Sequence, residues 1–441
     1  MKKLFVIALV LAFASSAMAT ESRQIALGGA GNYIEDDYNI FAWPGTLPSY
    51  ANIVWISINA KQYDEWEWDW YDGYWYQSGT DYDYMEDGHL NPEGLATTIG
   101  ATYGLGDEMK YGVLGMFFIH QAPGLNPFSS YWYDVELWPG AGTFGWPVDN
   151  KFTIMYGYAM EGLSFGLTLS RSDESMKVEG DMGTLDQPEF YEGEFHTAYT
   201  SIGAGLRFDV GDAAYADLAF DINFASFTDD YVGSYCGEES EDANMMWGVK
   251  ARMFYEWTDA ITWVPYFHIR SFDFSTKYDN DDCMNWGDKG FMFDFGIGAN
   301  IDVNEDNMIV FAIEPFSHVK REPSEVPEGG GSIEFKRMVL PRFIMGLESD
   351  VKDWLTFRAG AMKSLVKDEW TGSDGEDDVT LTETYADFNF YMGLGFHVGD
   401  FDIDCLLNTE LPLHMGYWLT GYQPSDGEEL PIYMISAKYH F

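Results

Sequence analysis

The chain has 441 residues, of which 72 are Asp or Glu and 24 are Lys or Arg, so its formal net charge at pH 7 is −48. This acidity excludes nucleic acid as a natural partner and favours the binding of cations. Aromatic residues make up 17% of the chain, which also contains 46 glycines, a composition that fits a barrel with aromatic girdles and small inward-facing residues.

Residues 1–19 have the pattern of a secretory signal peptide. Lys2 and Lys3 precede an apolar stretch, residues 4–14, and the small-x-small sequence at residues 17–19 is a cleavage site. The apolar stretch is too short to span a bilayer as a helix. We therefore expect export of the chain and cleavage after Ala19.

Residues 20–50 are rich in glycine and lack the two-residue alternation of a strand. They contain Leu27-Gly28-Gly29-Ala30-Gly31, the acidic pair Asp36-Asp37, Phe41, and then Trp43-Pro44-Gly45-Thr46-Leu47. This order is similar to the mature amino terminus of the long-chain fatty-acid transporter (FadL-like) superfamily, which includes the PorV-type barrels. Trp43 replaces the Asn of that family, and Gly45-Thr46 replaces its Ala-Gly.

The resemblance implies that residues 20–50 fold inside a barrel as a plug and that residues 51–441 form the barrel. The plug residues would be Leu27, Gly28, Gly29, Gly31, Asp36, Asp37, Phe41, Trp43 and Pro44. The alternative is a glycine-rich leader with no role in transport.

From residue 51 onward, alternation with a period of two predicts sixteen strands. They span about 53–61, 94–105, 109–119, 151–160, 163–171, 194–210, 214–227, 243–256, 261–276, 290–303, 307–319, 332–349, 354–366, 384–398, 401–411 and 430–441. Seven tight turns alternate with eight longer segments, like the periplasmic turns and external loops of a membrane barrel. The pattern predicts an all-β fold, a transmembrane antiparallel up-and-down β-barrel; fourteen strands, the number in the FadL-like fold, is the alternative.

Apolar and polar side chains separate onto the two faces of several strands. Phe291, Phe293 and Phe295 share one face, whereas Asp294 and Gly296 share the other. We expect the polar face to line the lumen, because a Lys or Arg facing lipid at mid-membrane costs about 2–4 kcal/mol. The expected lumen residues are Arg207, Lys250, Arg252, His268, Arg270, Arg342, Arg358, Lys438, Asp209, Asp217, Asp221, Glu256, Asp294, Asp302, Asp387, Asp402 and Asp404.

These charges predict either a network of ion pairs that packs a filled barrel or a polar pathway that selects solutes. The predicted external loops carry much of the remaining acidity. Their carboxylates are candidate ligands for Ca²⁺, with a solvated, repulsive surface as the alternative; no other cofactor is expected. The candidate ligands are Asp279, Asp281, Asp282, Asp374, Glu376, Asp377 and Asp378.

The three cysteines allow one disulfide. Cys236 and Cys283 fall in predicted external loops that follow neighbouring hairpins, so they are the candidate pair in an exported protein. Cys405 lies on an apolar register that is expected to face lipid, where it would be inert.

The last predicted strand ends at an aromatic residue, with Tyr439 and Phe441 on the same face. It resembles the terminal strand of bacterial outer-membrane barrels, in which a final Phe is the assembly signal. This resemblance implies a location in the outer membrane, with outer-membrane lipid and the barrel-assembly machinery as partners.

The expected function is passive uptake of a small, hydrophobic solute. One alternative is a structural or assembly barrel whose acidic, aromatic loops bind a partner protein, a polysaccharide or cations, and another is a general porin. The eight histidines are scattered and form no H-E-x-x-H motif, and no C-x-x-C is present. We therefore expect no enzymatic activity.

Overall fold

The computed structural model describes residues 21–60, 65–71, 74–81, 95–120, 150–181, 190–232, 238–239, 244–273, 277–278, 288–323, 332–373, 378–407 and 432–441. Within these ranges, sixteen strands form one closed antiparallel barrel. They are β1 Ile53–Ala60, β2 Leu95–Gly104, β3 Val113–His120, β4 Asn150–Met160, β5 Leu163–Asp181, β6 Phe190–Asp209, β7 Ala214–Val232, β8 Asn244–Thr258, β9 Ile261–Asp273, β10 Asp288–Asn304, β11 Asn307–Pro323, β12 Ser332–Lys352, β13 Leu355–Ser373, β14 Asp378–Val398, β15 Phe401–Leu407 and β16 Ile432–His440.

The first and last strands close the barrel. β1 pairs with β2 on one side and with β16 on the other, where Ile53 lies opposite His440. The all-β prediction and the count of sixteen strands are confirmed, and the alternative of fourteen is wrong. Glu65–Tyr71 pairs with Tyr74–Asp81 in a separate two-stranded sheet. The short strands Glu238–Glu239 and Lys277–Tyr278 pair with each other within the main sheet, where Glu238–Glu239 also pairs with β7.

The strands are joined at one end by tight turns. Six of these connections have two to four residues, and the seventh, between β2 and β3, contains a 3₁₀ helix at Asp107–Met109. The turn that the sequence predicted at Asp350 is displaced: β12 continues to Lys352, because Asp350 pairs with Thr356 in the ladder to β13. The turn itself consists of Asp353 and Trp354.

Several strands extend beyond their predicted ends on the opposite side of the barrel. β5 continues to Asp181 rather than residue 171, and β13 continues to Ser373 rather than residue 366. The apolar alternation stops earlier because polar residues occupy the inner face of these extensions, such as Asp368, which is 1% exposed and paired with Arg337. The backbone ladder nevertheless continues, with Gly372 opposite Val379.

The outer surface of the barrel carries a belt of exposed apolar side chains. Met116, Phe118, Ile154, Leu167 and Leu169 are each more than a third exposed. Contiguous apolar surface of this kind is unusual for a protein in water and typical of the lipid-facing band of a membrane barrel. Aromatic rings lie near the tight turns, where Tyr103 stacks on Phe441 and Trp354 on Phe396.

Residues 21–50, called here the amino-terminal segment, contain one short α-helix, α1 Glu21–Ala26, and three 3₁₀ helices, at Ala30–Asn32, Asp37–Phe41 and Pro44–Tyr50. After α1, Gly28 and Gly29 both have a φ of +78°, which favours glycine and allows the chain to reverse. No helix among the described residues is long and apolar enough to cross a membrane.

The main hydrophobic cores lie between the amino-terminal segment and the inner face of the barrel. One core joins segment residues to Phe254, Tyr266, Val310 and Ile344, and another joins them to Trp55, Val113, Phe117 and Met155. The amino-terminal segment therefore lies inside the barrel. Its most buried large side chains, each at most 1% exposed, are Leu27, Tyr33, Ile34, Ile40, Trp43 and Leu47.

Candidate functional site

The amino-terminal segment rests on glycines of the barrel wall. A Cβ atom added to Gly205 would lie 2.6 Å from the backbone nitrogen of Gly45, and one added to Gly346 would lie 2.8 Å from the carbonyl oxygen of Leu27. The absence of side chains at these positions lets the two backbones approach. Other wall glycines that contact the segment are Gly115, Gly157, Gly166, Gly296, Gly298, Gly360 and Gly393.

Arg252 on β8 fastens the wall to the middle of the segment. Its Nη1 donates to the carbonyl oxygens of Gly31, Asn32 and Ile34, at 3.3, 3.3 and 3.1 Å. Its Nε binds Asp217 at 2.9 Å. The guanidinium carbon lies 4.7 Å from the centre of the Trp43 ring, within the range of a cation–π contact.

The carboxylate of Asp217 also binds Arg207, with 2.7 Å between Oδ1 and Nε. Arg207 in turn pairs with Glu35 of the segment at 2.6 Å. Arg252, Asp217, Arg207 and Glu35 therefore form one chain of alternating charges, in which each buried charge has an opposite neighbour, as burial of charge requires.

A second ionic chain holds the start of the segment. Arg23 binds Glu348 on β12 at 2.7 Å and Asp36 at 2.8 Å. Glu348 also pairs with Arg358 at 2.6 Å, and Arg358 reaches Asp404 on β15. The chain therefore connects α1 to three strands of the wall.

The acidic pair at the start of the second 3₁₀ helix is held by two cations. Burial, together with the charge of Asp37, raises the pKa of Asp36 to about 6. Arg23 opposes this shift by pairing with Asp36, whereas Asp37 pairs with Lys438 of β16 at 3.1 Å. The pairing with Arg23 thus opposes protonation of Asp36.

Tyr33 forms a third connection, in the part of the wall made by β10–β12. Its hydroxyl donates to Glu314 at 3.0 Å, and Glu314 pairs with Arg342 at 2.7 Å. Asn300 donates to the Tyr33 carbonyl oxygen at 2.8 Å. Glu314, Glu348 and the segment residues Arg23 and Glu35 were not among the residues singled out from the sequence.

A cavity of about 350 Å³ lies between the segment and the tight-turn ends of β12–β16. Asp402 is one of its lining residues and contacts His397 Nδ1 at 2.7 Å, Lys438 at 3.3 Å and His440 at 3.3 Å. Charges of both signs line the cavity, so it suits polar groups or water better than an apolar molecule.

Two local patterns resemble those of hydrolases, but neither is arranged as a nucleophile. Residues 162–166 read G-x-S-x-G, yet Ser164 lies in a β-hairpin, and its hydroxyl donates to the carbonyl oxygen of Gly45 at 2.7 Å. Thr356 lies 3.0 Å from His397 Nε2, but its hydroxyl also bonds Asp350. Both hydroxyls belong to structural networks.

Six further residues that were expected in the lumen remain to be located. Lys250, His268, Arg270, Asp221 and Asp294 lie on the side of the segment away from the tight turns, with Lys250 5.4 Å from the Trp43 ring centre and His268 3.4 Å from Asp294. Asp387 accepts a hydrogen bond from Asn389 at 2.9 Å.

Three acidic side chains that were expected in the lumen lie instead at its rim. Asp209, Glu256 and Asp302 are exposed at the tight-turn ends of β6, β8 and β10. Their position in the alternation is consistent with the inner face, but the barrel no longer encloses a strand within two or three residues of its turn.

The other predicted sites are only partly visible. Cys405 is a buried free thiol, and the backbone nitrogen of Phe441 donates to Asn52 at 3.0 Å. Of the candidate Ca²⁺ ligands only Asp378 is described, as the first residue of β14. Cys236, Cys283 and the other candidate ligands lie outside the described residues.

No family model and no curated protein matches the chain. Solved structures to which it is similar include a FadL homologue from Pseudomonas aeruginosa, with 10% identity, a TM-score of 0.42, and coverage of 97% of this chain and 100% of that chain. The TodX monoaromatic hydrocarbon channel, a deltaS2 mutant, has 10% identity, a TM-score of 0.36, and coverage of 84% and 87%.

The ferric yersiniabactin uptake receptor FyuA from Yersinia pestis has 12% identity and a TM-score of 0.37; the match covers 58% of this chain and 44% of that chain, so this chain spans less than half of that receptor.

The class of the present protein follows from its own fold. A closed sixteen-strand barrel with an apolar outer belt is an integral protein of the bacterial outer membrane. Its tight turns mark the periplasmic end and its long connections the external end.

Proposed function

We propose that this barrel mediates passive uptake of a small, hydrophobic solute and that the amino-terminal segment acts as a plug in its lumen. The observation that carries the proposal is the position of the segment: it is packed against the wall by both apolar contacts and ionic chains. A general porin would instead need a wide, water-filled lumen.

The lumen on the external side of the segment supports the choice of a hydrophobic solute. Inward-facing apolar side chains there include Met246, Phe272, Val319 and Phe335; they are closely packed, each at most 7% exposed, so a solute that contacts them must open this packing. Binding sites for small molecules combine such apolar surface with a few polar groups, which Lys250 and His268 supply here.

Passage would require the segment to move relative to the wall. The cavity of about 350 Å³ beside α1 would lie at the periplasmic end of this path. Its lining is charged, so a hydrophobic solute would pass it without binding there.

A reversible disulfide between α1 and β16 tests this proposal. The hydroxyls of Ser22 and Ser436 are hydrogen-bonded to each other and buried, so Ser22→Cys with Ser436→Cys places two thiols in contact. With Cys405 replaced by Ala, oxidation should slow the entry of N-phenyl-1-naphthylamine into proteoliposomes at least tenfold. A reductant should restore the entry rate.

The variant with Ser436→Cys alone, in the same background, is the control and should not respond to the oxidant. Peptide mapping reports whether the disulfide has formed. If uptake is unchanged although the disulfide is complete, the segment does not gate the solute path and the proposal fails.

A further inference from the structure

Four lysines lie on the outside of the barrel, three of them close together towards its external end and the fourth, Lys363, nearer the middle of its strand. They are Lys320 on β11, Lys336 on β12, and Lys363 and Lys367 on β13. Their sequence neighbours are buried on the inner face, so alternation directs the lysines outward; the buried neighbours are Val319, Arg337, Ser364 and Asp368. We call the four residues the outer lysine patch.

The ladder shows that Lys320, Lys336 and Lys367 are neighbours. Lys320 lies directly opposite Lys336, and Lys336 lies opposite Glu369. Lys367 lies opposite Met338, two residues from Lys336. Side chains on one face of paired strands at these positions are within reach of one another.

The patch begins where the apolar belt ends. Along β12, the outward residues Leu347, Met345, Phe343 and Leu340 are exposed and apolar, and Lys336 follows after Met338. On β13, Lys363 lies within the outer part of the belt, opposite Phe343 on one side and Phe388 on the other, and the exposed Leu365 lies between it and Lys367. Lys320, Lys336 and Lys367 are therefore level with the lipid headgroups of the outer leaflet, and Lys363 lies below them.

The charge of the patch is opposite to that of the whole chain. The chain has three acidic residues for each basic one, but the patch has four lysines against two carboxylates. Glu334 pairs with Lys320 at 2.9 Å and also with Lys336, and Glu369 pairs with Lys367 at 3.2 Å. The patch therefore keeps a net positive charge.

Lys363 has no anionic partner within the described part of the chain. It is exposed and forms neither a hydrogen bond nor an ion pair with any described residue. A lysine in this position is unfavourable in lipid unless its ammonium group reaches an anion at the interface while its alkyl chain stays in the belt.

We propose that the outer lysine patch binds the phosphate groups of anionic lipid in the outer leaflet. Ammonium groups and phosphate oxygens form charge-assisted hydrogen bonds, and basic clusters beside a membrane attract anionic headgroups. Thr384 on β14, directly opposite Lys367, adds a hydroxyl donor at the same level. Continuity with the lipid-facing belt favours a lipid over a soluble partner.

The test measures retention of diphosphoryl lipid A by the detergent-purified, full-length protein in native mass spectrometry. The triple variant Lys336→Gln, Lys363→Gln, Lys367→Gln should bind the lipid at least tenfold more weakly than the wild type. Lys110→Gln with Lys352→Gln removes two exposed lysines at the periplasmic end and should bind as the wild type does. Replacing the three patch lysines with Arg should keep the affinity.

Millimolar inorganic phosphate should not displace the lipid, because the acyl chains rest on the belt. Heat-modifiable migration on gels reports whether each variant has folded. If the triple variant does not fold, the single variant Lys363→Gln replaces it in the test, with an expected two- to threefold loss of lipid affinity. The proposal would be overturned if the folded triple variant bound the lipid with wild-type affinity. If the triple variant does not fold, wild-type affinity of Lys363→Gln would overturn it. Equal loss in the periplasmic control, or displacement by inorganic phosphate, would also overturn it.

Discussion

Arg252 connects the barrel wall to the amino-terminal segment through one guanidinium group. Replacing it with Met would leave three carbonyl groups and part of the Asp217 carboxylate without their donor. Breaking a buried pair of this kind costs about 3–5 kcal/mol. We expect Arg252→Met to lower the free energy of unfolding in lipid vesicles by that amount, measured by urea titration.

Arg171 is the matched control, because its ion pair with Asp173 lies on the outside of the barrel and both side chains are about half exposed. Exposed pairs contribute less than about 1 kcal/mol. Similar losses in Arg171→Met and Arg252→Met would show that the buried connection does not stabilise the protein.

Sequence reasoning located several charges of the site but not their partners. Arg252, Asp217 and Arg207 were predicted to face inward because each lies on the polar register of a strand. That Arg252 would bind carbonyl oxygens of residues 31–34 was not predictable, because backbone acceptors leave no mark in a sequence. Glu314 and Glu348 could have been found, since both also lie on inward registers.

At the scale of elements, the glycines of the wall determine where the segment packs. Gly360 and Gly372 lie on the same strand, β13. A Cβ atom at Gly360 would overlap the backbone of Leu27 and Gly28, whereas one at Gly372 would meet nothing within 4 Å. We expect Gly360→Ala to displace the segment and Gly372→Ala to leave it in place.

Trypsin provides the measurement, because Arg23 is the only Lys or Arg within residues 21–50. Its side chain is paired and mostly buried in the intact protein. Cleavage after Arg23 should be at least tenfold faster in Gly360→Ala and unchanged in Gly372→Ala. Equal cleavage rates in the two variants would contradict the role given to Gly360.

The strands themselves were largely predictable, because a lipid-facing strand alternates locally and its turns use Gly and Asp at adjacent positions. The extensions of β5 and β13 were not, since their residues no longer alternate between apolar and polar. The contacts of the segment were only partly foreseen. The sequence predicted that six inward glycines leave room beside the wall, at residues 203, 205, 296, 298, 393 and 395. Gly205, Gly296, Gly298 and Gly393 contact the segment, Gly203 and Gly395 lie against other wall residues, and Gly346 and Gly360 were missed.

At the scale of the whole molecule, the segment determines whether the barrel is filled. Residues 21–50 share their hydrophobic cores with the wall, and each buried apolar side chain contributes roughly 1.5–3 kcal/mol. The barrel ladder closes without the segment, because β1 pairs directly with β16. The wall should therefore persist when residues 20–45 are deleted, with water replacing the segment and solvating Glu348, Asp217 and Lys438.

Deletion of residues 20–45 should convert a nearly silent protein into one with large, steady conductance in planar bilayers, because a sixteen-strand barrel is wide enough for an aqueous channel. Unmodified protein from the same preparation is the reference, and heat-modifiable migration reports whether the shortened barrel has folded. The oxidised Ser22→Cys/Ser436→Cys protein, which keeps the segment in place, should stay silent. If the intact protein already conducts like an open porin and the deletion adds nothing, the segment does not obstruct the lumen. The proposal of gated uptake would then be wrong, and the protein would be a general porin through which solutes diffuse.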